Sequence, residues 1–208
     1  MIKIYGDMLS GNCYKIALLC SFIGLEHEWI HVDILAGEAR SEDFSKLNPN
    51  QKVPLLVLEN GECIWESNAI LNYLAHDTEW LPSNPLERAR VLQWQFFEQY
   101  SHEPYIAVAR YINIYLGLPE NRRAEFDSKQ EGGNKALAVM EKHLENNRYL
   151  VGNSISIADL SLFAYTHVAD EGGFDLAVYP NIQKWLSRIT SAAKFIPMER
   201  DTPKSHHG

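Results

Sequence analysis

The stretch from Val53 to Trp65 limits the fold more than any other. It reads VPLLVL, then ENGE, then CIW. Two β-type runs flank Asn60-Gly61, a pair that tolerates the positive φ demanded at both positions of a two-residue hairpin turn. The segment is therefore expected to be an antiparallel hairpin. A lone hairpin is marginal in water, so it must join further strands. Upstream, residues 2 to 5 (Ile-Lys-Ile-Tyr) alternate like a short strand, and Trp29 to Val32 offer a second. Between them Ile16, Leu19, Cys20 and Ile23 recur at i, i+3, i+4 and i+7, with Gly24 as the stop. Two strands flanking a helix are expected to be parallel. The hairpin then adds antiparallel strands, making a small mixed sheet. Ser67 stands at an N-cap position ahead of Ile70, Leu71 and Leu74.

The pattern changes after this point. Pro82, Ser83, Asn84 and Pro85 read as a linker, and beyond them helical periodicity replaces strand alternation. Arg88 to Ile114 and Glu131 to Asn146 read as helical regions, and Pro180 to Ala193 as another with Pro in its first turn. Ser156-Ile-Ala-Asp159 is a capping box ahead of Leu160, Ser161, Ala164 and Val168. The division expected is residues 1–77, a linker at 78–86, and a helical part over 87–208 whose tail beyond about 198 is expected to fray.

Charge and cysteine usage narrow the function. Lys and Arg number 19 against 27 Asp and Glu, a net charge of −8 with no basic stripe, which argues against nucleic acid as a partner. No apolar run is long enough to span a membrane, and the N-terminus lacks the pattern of a secretory signal. Cys13, Cys20 and Cys63 form no disulfide framework and no metal-ligand spacing, and the eight histidines show no HxxxH or HExxH pattern. No metal is expected, and the cytoplasm is the expected location.

The first-loop serine, NPNQKVP at 48–54, ESNAI at 66–70 and SIADLSL at 156–162, in that order, resemble the glutathione S-transferase family over nearly the whole chain. The resemblance implies an α/β thioredoxin-like N-terminal domain followed by an all-α C-terminal domain, with glutathione as co-substrate. Pro54 would be cis, turning the N–H and C=O of Val53 toward the tripeptide's cysteinyl unit as an added strand would pair. Glu66 and Ser67 open a helix, where free N–H groups and the dipole suit the γ-glutamyl carboxylate. Glu66 would face the α-amino group. Gln51 and Lys52, with Arg40, are candidates for the glycyl carboxylate.

At the sulfur end the loop reads Met8-Leu9-Ser10-Gly11-Asn12-Cys13. A free thiol has a pKa of about 8.5, so donors and positive potential must stabilise its thiolate. Ser10 is the first candidate and Asn12 the second. Tyr5, within the first strand, falls early for the tyrosine of other classes. Cys13, third, is expected to be core, as are Cys20 and Cys63. Leu9, Tyr105, Arg110, Tyr111 and Tyr115 are available to a pocket for the second substrate.

Three functions follow from the resemblance: addition of the thiolate to an electrophilic small molecule, glutathione-dependent reduction of a disulfide or peroxide, and binding without turnover. A homodimer is also implied. It would bring Glu98, Gln99 or Glu103 to the partner's γ-glutamyl amino group.

Overall fold

The computed structural model describes residues 1–198. The expected fraying of the tail lies outside them. Four strands, β1 (Lys3–Gly6), β2 (Glu28–His31), β3 (Leu55–Val57) and β4 (Cys63–Trp65), form one sheet in the order β2-β1-β3-β4. β1 runs parallel to β2 and antiparallel to β3, which pairs antiparallel with β4. The mixed sheet is thus the one expected.

The hairpin turn differs from the expectation. Leu58 C=O accepts from Gly61 N–H, and only Gly61 takes a positive φ, 87°. Asn60 instead accepts the Glu62 N–H on its side-chain oxygen at 3.0 Å. The loop is therefore a turn followed by one left-handed glycine, a longer hairpin connection than the two-residue type.

Helix α1 (Gly11–Ile23) is buried almost all round, as a helix sandwiched between two layers must be. The sheet lies on one side of it and the helical half on the other. Gly24 ends it at φ 66° and donates to the carbonyls of Cys20 and Ser21. A short helix α2 (Glu42–Leu47) lies in the polar stretch where periodicity gave no sign of it. It is capped by Ser41, which accepts from Phe44 N–H at 3.3 Å. Helix α3 (Ser67–Leu74) closes the N-terminal part.

Asn84 caps α4 (Pro85–Phe97), accepting from the N–H groups of Leu86 and Glu87, with Pro85 at the first turn. The chain stays helical through α5 (Glu103–Arg110) to Tyr115, but with wide π turns at Glu98–His102 and Tyr111–Tyr115. Pro104 explains the first of these, because it offers no N–H and its ring clashes with the preceding turn. Helices α6 (Arg123–Leu144), α7 (Ile157–Thr166) and α8 (Pro180–Thr190) complete the bundle.

One apolar core crosses from sheet to bundle: Ile4, Leu18, Leu56 and Ile70 join Val91, Trp94, Leu160, Phe163 and Trp185. Asp159, fully buried, accepts from Ser156 N–H and Oγ, Leu150 N–H and Trp185 Nε1 at 2.9 to 3.0 Å. The reach-back half of the expected capping box is thus in place. The same carboxylate also ties α8 and the Leu150 strap to α7.

Candidate active site

Ser10 is held by its loop and by its helix. Its N–H donates to Asp7 C=O at 2.9 Å, and its own carbonyl starts α1 by accepting from Tyr14 N–H at 2.8 Å. Asp7 also accepts the Leu9 N–H on Oδ1 at 2.9 Å, while Arg110 Nη1 donates to Leu9 C=O at 2.7 Å. Arg110 is itself buried and paired with Glu171 at 2.6 Å. It therefore clamps the loop and is not a free cation facing a ligand. Although Ser10 is the N-cap of α1, its side chain makes no capping hydrogen bond, which leaves the hydroxyl for other partners.

Two cavities meet at Val53. The wider, about 360 Å³, is lined by Ser10, Arg40, Gln51, Lys52, Val53, Ala107, Arg110, Tyr111, Tyr115 and Tyr165. The narrower, about 70 Å³, is lined by Asn12, Asn48, Asn50, Lys52, Val53, Pro54, Glu66, Ser67, Gln99 and Glu103. Lys52 and Val53 belong to both, so the two form one cleft that bends at the Val53–Pro54 peptide. That peptide is cis.

The narrow end is a closed polar network. Ser67 Oγ donates to Asn12 Oδ1 at 3.0 Å, and Asn12 Nδ2 donates to Glu103 Oε1 at 3.0 Å. Gln99 Nε2 donates to Glu103 Oε2 and Glu98 Oε2, at 2.6 and 2.8 Å. Ser67 is therefore the first helical residue and not the cap. The cap is Glu66, held at φ 70°, a left-handed conformation rare for a non-glycine residue. Glu66 accepts from Asn50 Nδ2 at 3.1 Å, and Asn48 holds the loop by donating to Lys52 C=O at 2.7 Å.

Behind this network Lys15 Nζ and Glu98 Oε1 form a fully buried ion pair at 3.2 Å. Burial pushes the Glu98 carboxyl up, and the Lys15 ammonium opposes that shift. Asn68 Nδ2 supplies Glu98 with a further donor at 2.9 Å.

The nine predicted ligand contacts thus fall on one cleft, but not in the groups expected. Asn12 lies at the narrow end with one amide proton committed to Glu103, while Ser10 lies at the wide end with Arg40 and Gln51. Tyr111 and Tyr115 line the wide end with Ser10, whereas Tyr105 opens on a different hollow with Phe97 and Tyr100. Gln99 and Glu103 face the cleft of their own chain, and Glu98 is fully buried.

Cys13 is buried, and burial pushes its thiol up to about 12; Cys20 behaves alike. Cys63 is only half-buried, since β4 is an edge strand. Sequence reasoning missed Asn48, Asn50 and Tyr165. The two asparagines stand in the quoted NPNQKVP run, but nothing in their spacing marks them, and Tyr165 falls on a helix that reads as apolar core.

Among the described residues no group of three His, Cys, Asp or Glu side chains could hold a metal ion, and no helix is long and apolar enough to cross a membrane.

A thioredoxin-like sheet joined to an all-helical half, with a cis Val53–Pro54 peptide in the cleft between them, defines the class of the protein. Residues 2–76 match the glutathione S-transferase N-terminal domain family and residues 94–193 the C-terminal domain family. A crystal structure of a glutathione S-transferase from Pseudomonas fluorescens Pf-5 is 59% identical, covering 96% of this chain and 99% of that one with a TM-score of 0.94. The disulfide-bond oxidoreductase YfcG of Escherichia coli K12 is 31% identical over 86% of each protein. Protein URE2 of Candida glabrata is 30% identical over 89% of this chain, which spans 64% of that protein's length. The chain belongs to the glutathione S-transferase family.

Proposed function

We propose that this protein binds glutathione in the bent cleft and presents it as a thiolate to a small electrophile. The observation that carries the proposal is the continuity of the cleft. A γ-glutamyl group fits the narrow end among Glu66, Ser67 and the α3 N-terminus. The cysteinyl unit pairs with the backbone of Val53, and the glycyl carboxylate reaches Gln51, Lys52 and Arg40. Its sulfur then meets Ser10 and the N-terminus of α1. Both the hydroxyl and the helix dipole favour the charged form. Bringing a thiol from about 8.5 to about 7 takes roughly 2 kcal/mol, within reach of one charge-assisted hydrogen bond plus the dipole.

Asn12 acts in this reading through its remaining amide proton and its grip on Ser67 and Glu103. Glu103, with Glu66, offers negative charge to the α-amino group. Cys13 takes no covalent part, because a buried thiol titrating near 12 is protonated at neutral pH.

Reduction of a small disulfide by the same thiolate is the second reading. The similarity to YfcG favours it. Trp65, Tyr73, Leu92, Phe96 and Tyr100 are exposed apolar side chains on β4, α3, α4 and the turn after it, and they support a homodimer. Cytoplasmic location is part of the same reading.

The test combines retention on immobilised glutathione with turnover of an aryl halide and of a small disulfide. Retention is expected, with turnover of at least one substrate and loss of most of it in Ser10→Ala. No retention at millimolar glutathione, or full turnover in Ser10→Ala, would refute the proposal. Sedimentation at micromolar concentration checks the dimer.

A further inference from the structure

The backbone around Ser10 is held at four points. Its N–H donates to Asp7 C=O at 2.9 Å, and its C=O accepts from Cys13 N–H at 3.1 Å and Tyr14 N–H at 2.8 Å. Those three anchors lie within four residues of Ser10, so the loop and α1 supply them locally. The fourth comes from the helical half, 101 residues along the chain: Arg110 Nη1 donates to Leu9 C=O at 2.7 Å. The Leu9–Ser10 peptide therefore has both its C=O and its N–H bonded. A planar peptide held at both groups cannot tilt, and the direction of the Ser10 side chain is fixed with it.

Arg110 has all three guanidinium nitrogens engaged inside the protein. Nε donates to Glu171 Oε2 at 2.6 Å, and Nη2 faces Met198 Sδ at 3.8 Å. Glu171 is anchored in turn, its C=O accepting from Asn113 Nδ2 at 2.7 Å. The titratable groups lining the wide cavity besides Arg110 are Arg40, Lys52, Tyr111, Tyr115 and Tyr165. Of the three cations there, Arg40 and Lys52 are exposed, whereas Arg110 is buried. The loop's own carboxylate, Asp7, is engaged by Leu9 N–H at 2.9 Å.

We propose that Arg110, held by Glu171, is a positioning residue for thiol activation: it pins the Leu9–Ser10 peptide so that the Ser10 hydroxyl points at the sulfur. The inference rests on the reading of Ser10 as the thiolate donor and adds the residue of the helical half that aims it. A hydroxyl stabilises a thiolate only at hydrogen-bond distance and angle, so a loop free to tilt about this peptide would lose that bond. A charge-assisted bond to the carbonyl resists the tilt better than a neutral one, and the planar fork reaches Leu9 and Glu171 at once.

The test titrates the ultraviolet thiolate band of bound glutathione in four proteins. They are the wild type, Ser10→Ala, the pair Arg110→Met with Glu171→Gln, and all three substitutions together. The pair removes both charges at once, which avoids a lone buried charge and leaves the net field at the sulfur little changed. Binding of S-methylglutathione, which has no thiol to ionise, is measured alongside. The paired variant is expected to cut the thiolate fraction at neutral pH about three- to tenfold, the effect of one weakened hydrogen bond. Its affinity for S-methylglutathione is expected to change less than about twofold. In the Ser10→Ala background the same pair is expected to move the thiolate fraction less than about twofold, because coupled partners are not additive.

An equal loss in both backgrounds would overturn the proposal, since Arg110 would then act on the sulfur without Ser10. So would an unchanged titration while Ser10→Ala shifts it, or a parallel fall in S-methylglutathione affinity, which would mark general damage to the cleft. Should circular dichroism show the paired variant unfolded, Arg110→Lys decides. It keeps the charge but cannot hold Leu9 and Glu171 together, so a loss of about threefold is expected and no loss would refute the role. If Ser10→Ala itself leaves the titration unchanged, the reading of Ser10 falls, and this role of Arg110 with it.

Discussion

The two ends of the cleft are built on opposite principles. At the narrow end Glu66, Ser67, Asn12, Glu103, Gln99 and Asn50 hold one another by side-chain hydrogen bonds, backed by the buried Lys15–Glu98 pair. At the wide end tyrosines and Ala107 surround Ser10, with Arg40 and Lys52 on the rim and few fixed polar contacts. A closed network fits one ligand and rejects others, because any mismatch leaves a buried polar group unpaired. An aromatic hollow accepts many shapes at similar cost, since apolar contact is not directional. The difference agrees with the proposed function, in which one constant thiol meets a variable second substrate.

The largest effect is expected where the narrow end meets the core. Lys15→Met leaves Glu98 buried without its cation, and denaturant unfolding should show a loss of about 3–5 kcal/mol. Pairing it with Glu98→Met should restore most of that, because both charges are then gone. If the single variant loses less than about 1 kcal/mol, the pair is not what secures the narrow end.

Ser67→Ala should raise the KM for glutathione about 10- to 100-fold, from loss of the anion's hydroxyl partner and of the bond to Asn12. An increase below threefold would break the contrast between the two ends.

His102 tests the wall behind the cleft. It is fully buried at the first π turn, with Nε2 2.9 Å from Thr166 Oγ1, and burial pushes its pKa down from 6.5 to about 3. The unfolded chain then binds a proton that the folded one does not. The resulting stability is full above pH 6.5 and is lost as pH falls toward 3, at about 1.4 kcal/mol per pH unit. His102→Gln should flatten the pH dependence of unfolding by that amount, and an unchanged slope would show that His102 is protonated in the fold.

The smallest effect belongs to the wide end. Tyr111→Ala should change relative rates among electrophiles about two- to tenfold while moving the glutathione KM less than twofold. A large shift in that KM would merge the two ends into one site.

The hairpin, the helix stop at Gly24 and the run Ser156 to Asp159 were legible in the sequence, because each is decided by neighbours within a few residues. Val53, Pro54, Glu66 and Ser67 could also be picked out, since they stand at places where the chain turns or a helix begins. The wide π turns were not legible, because a helical period does not reveal where a helix is distended around Pro104. Nor was α2, whose polar residues show no apolar face.

Local chemistry in the sequence thus determined which segments become strands and helices, while the candidate site residues came from the resemblance of its motifs to a family. Only the tertiary structure decided which candidates meet. It set Asn12 with Ser67 and Glu103 across 55 and 91 residues, and it brought Tyr165 to Gly11 and Ser10 from the far half of the chain. Side-chain periodicity says that a residue faces inward, but the packing of α7 on α1 says what it faces, and that depends on every layer between them at once.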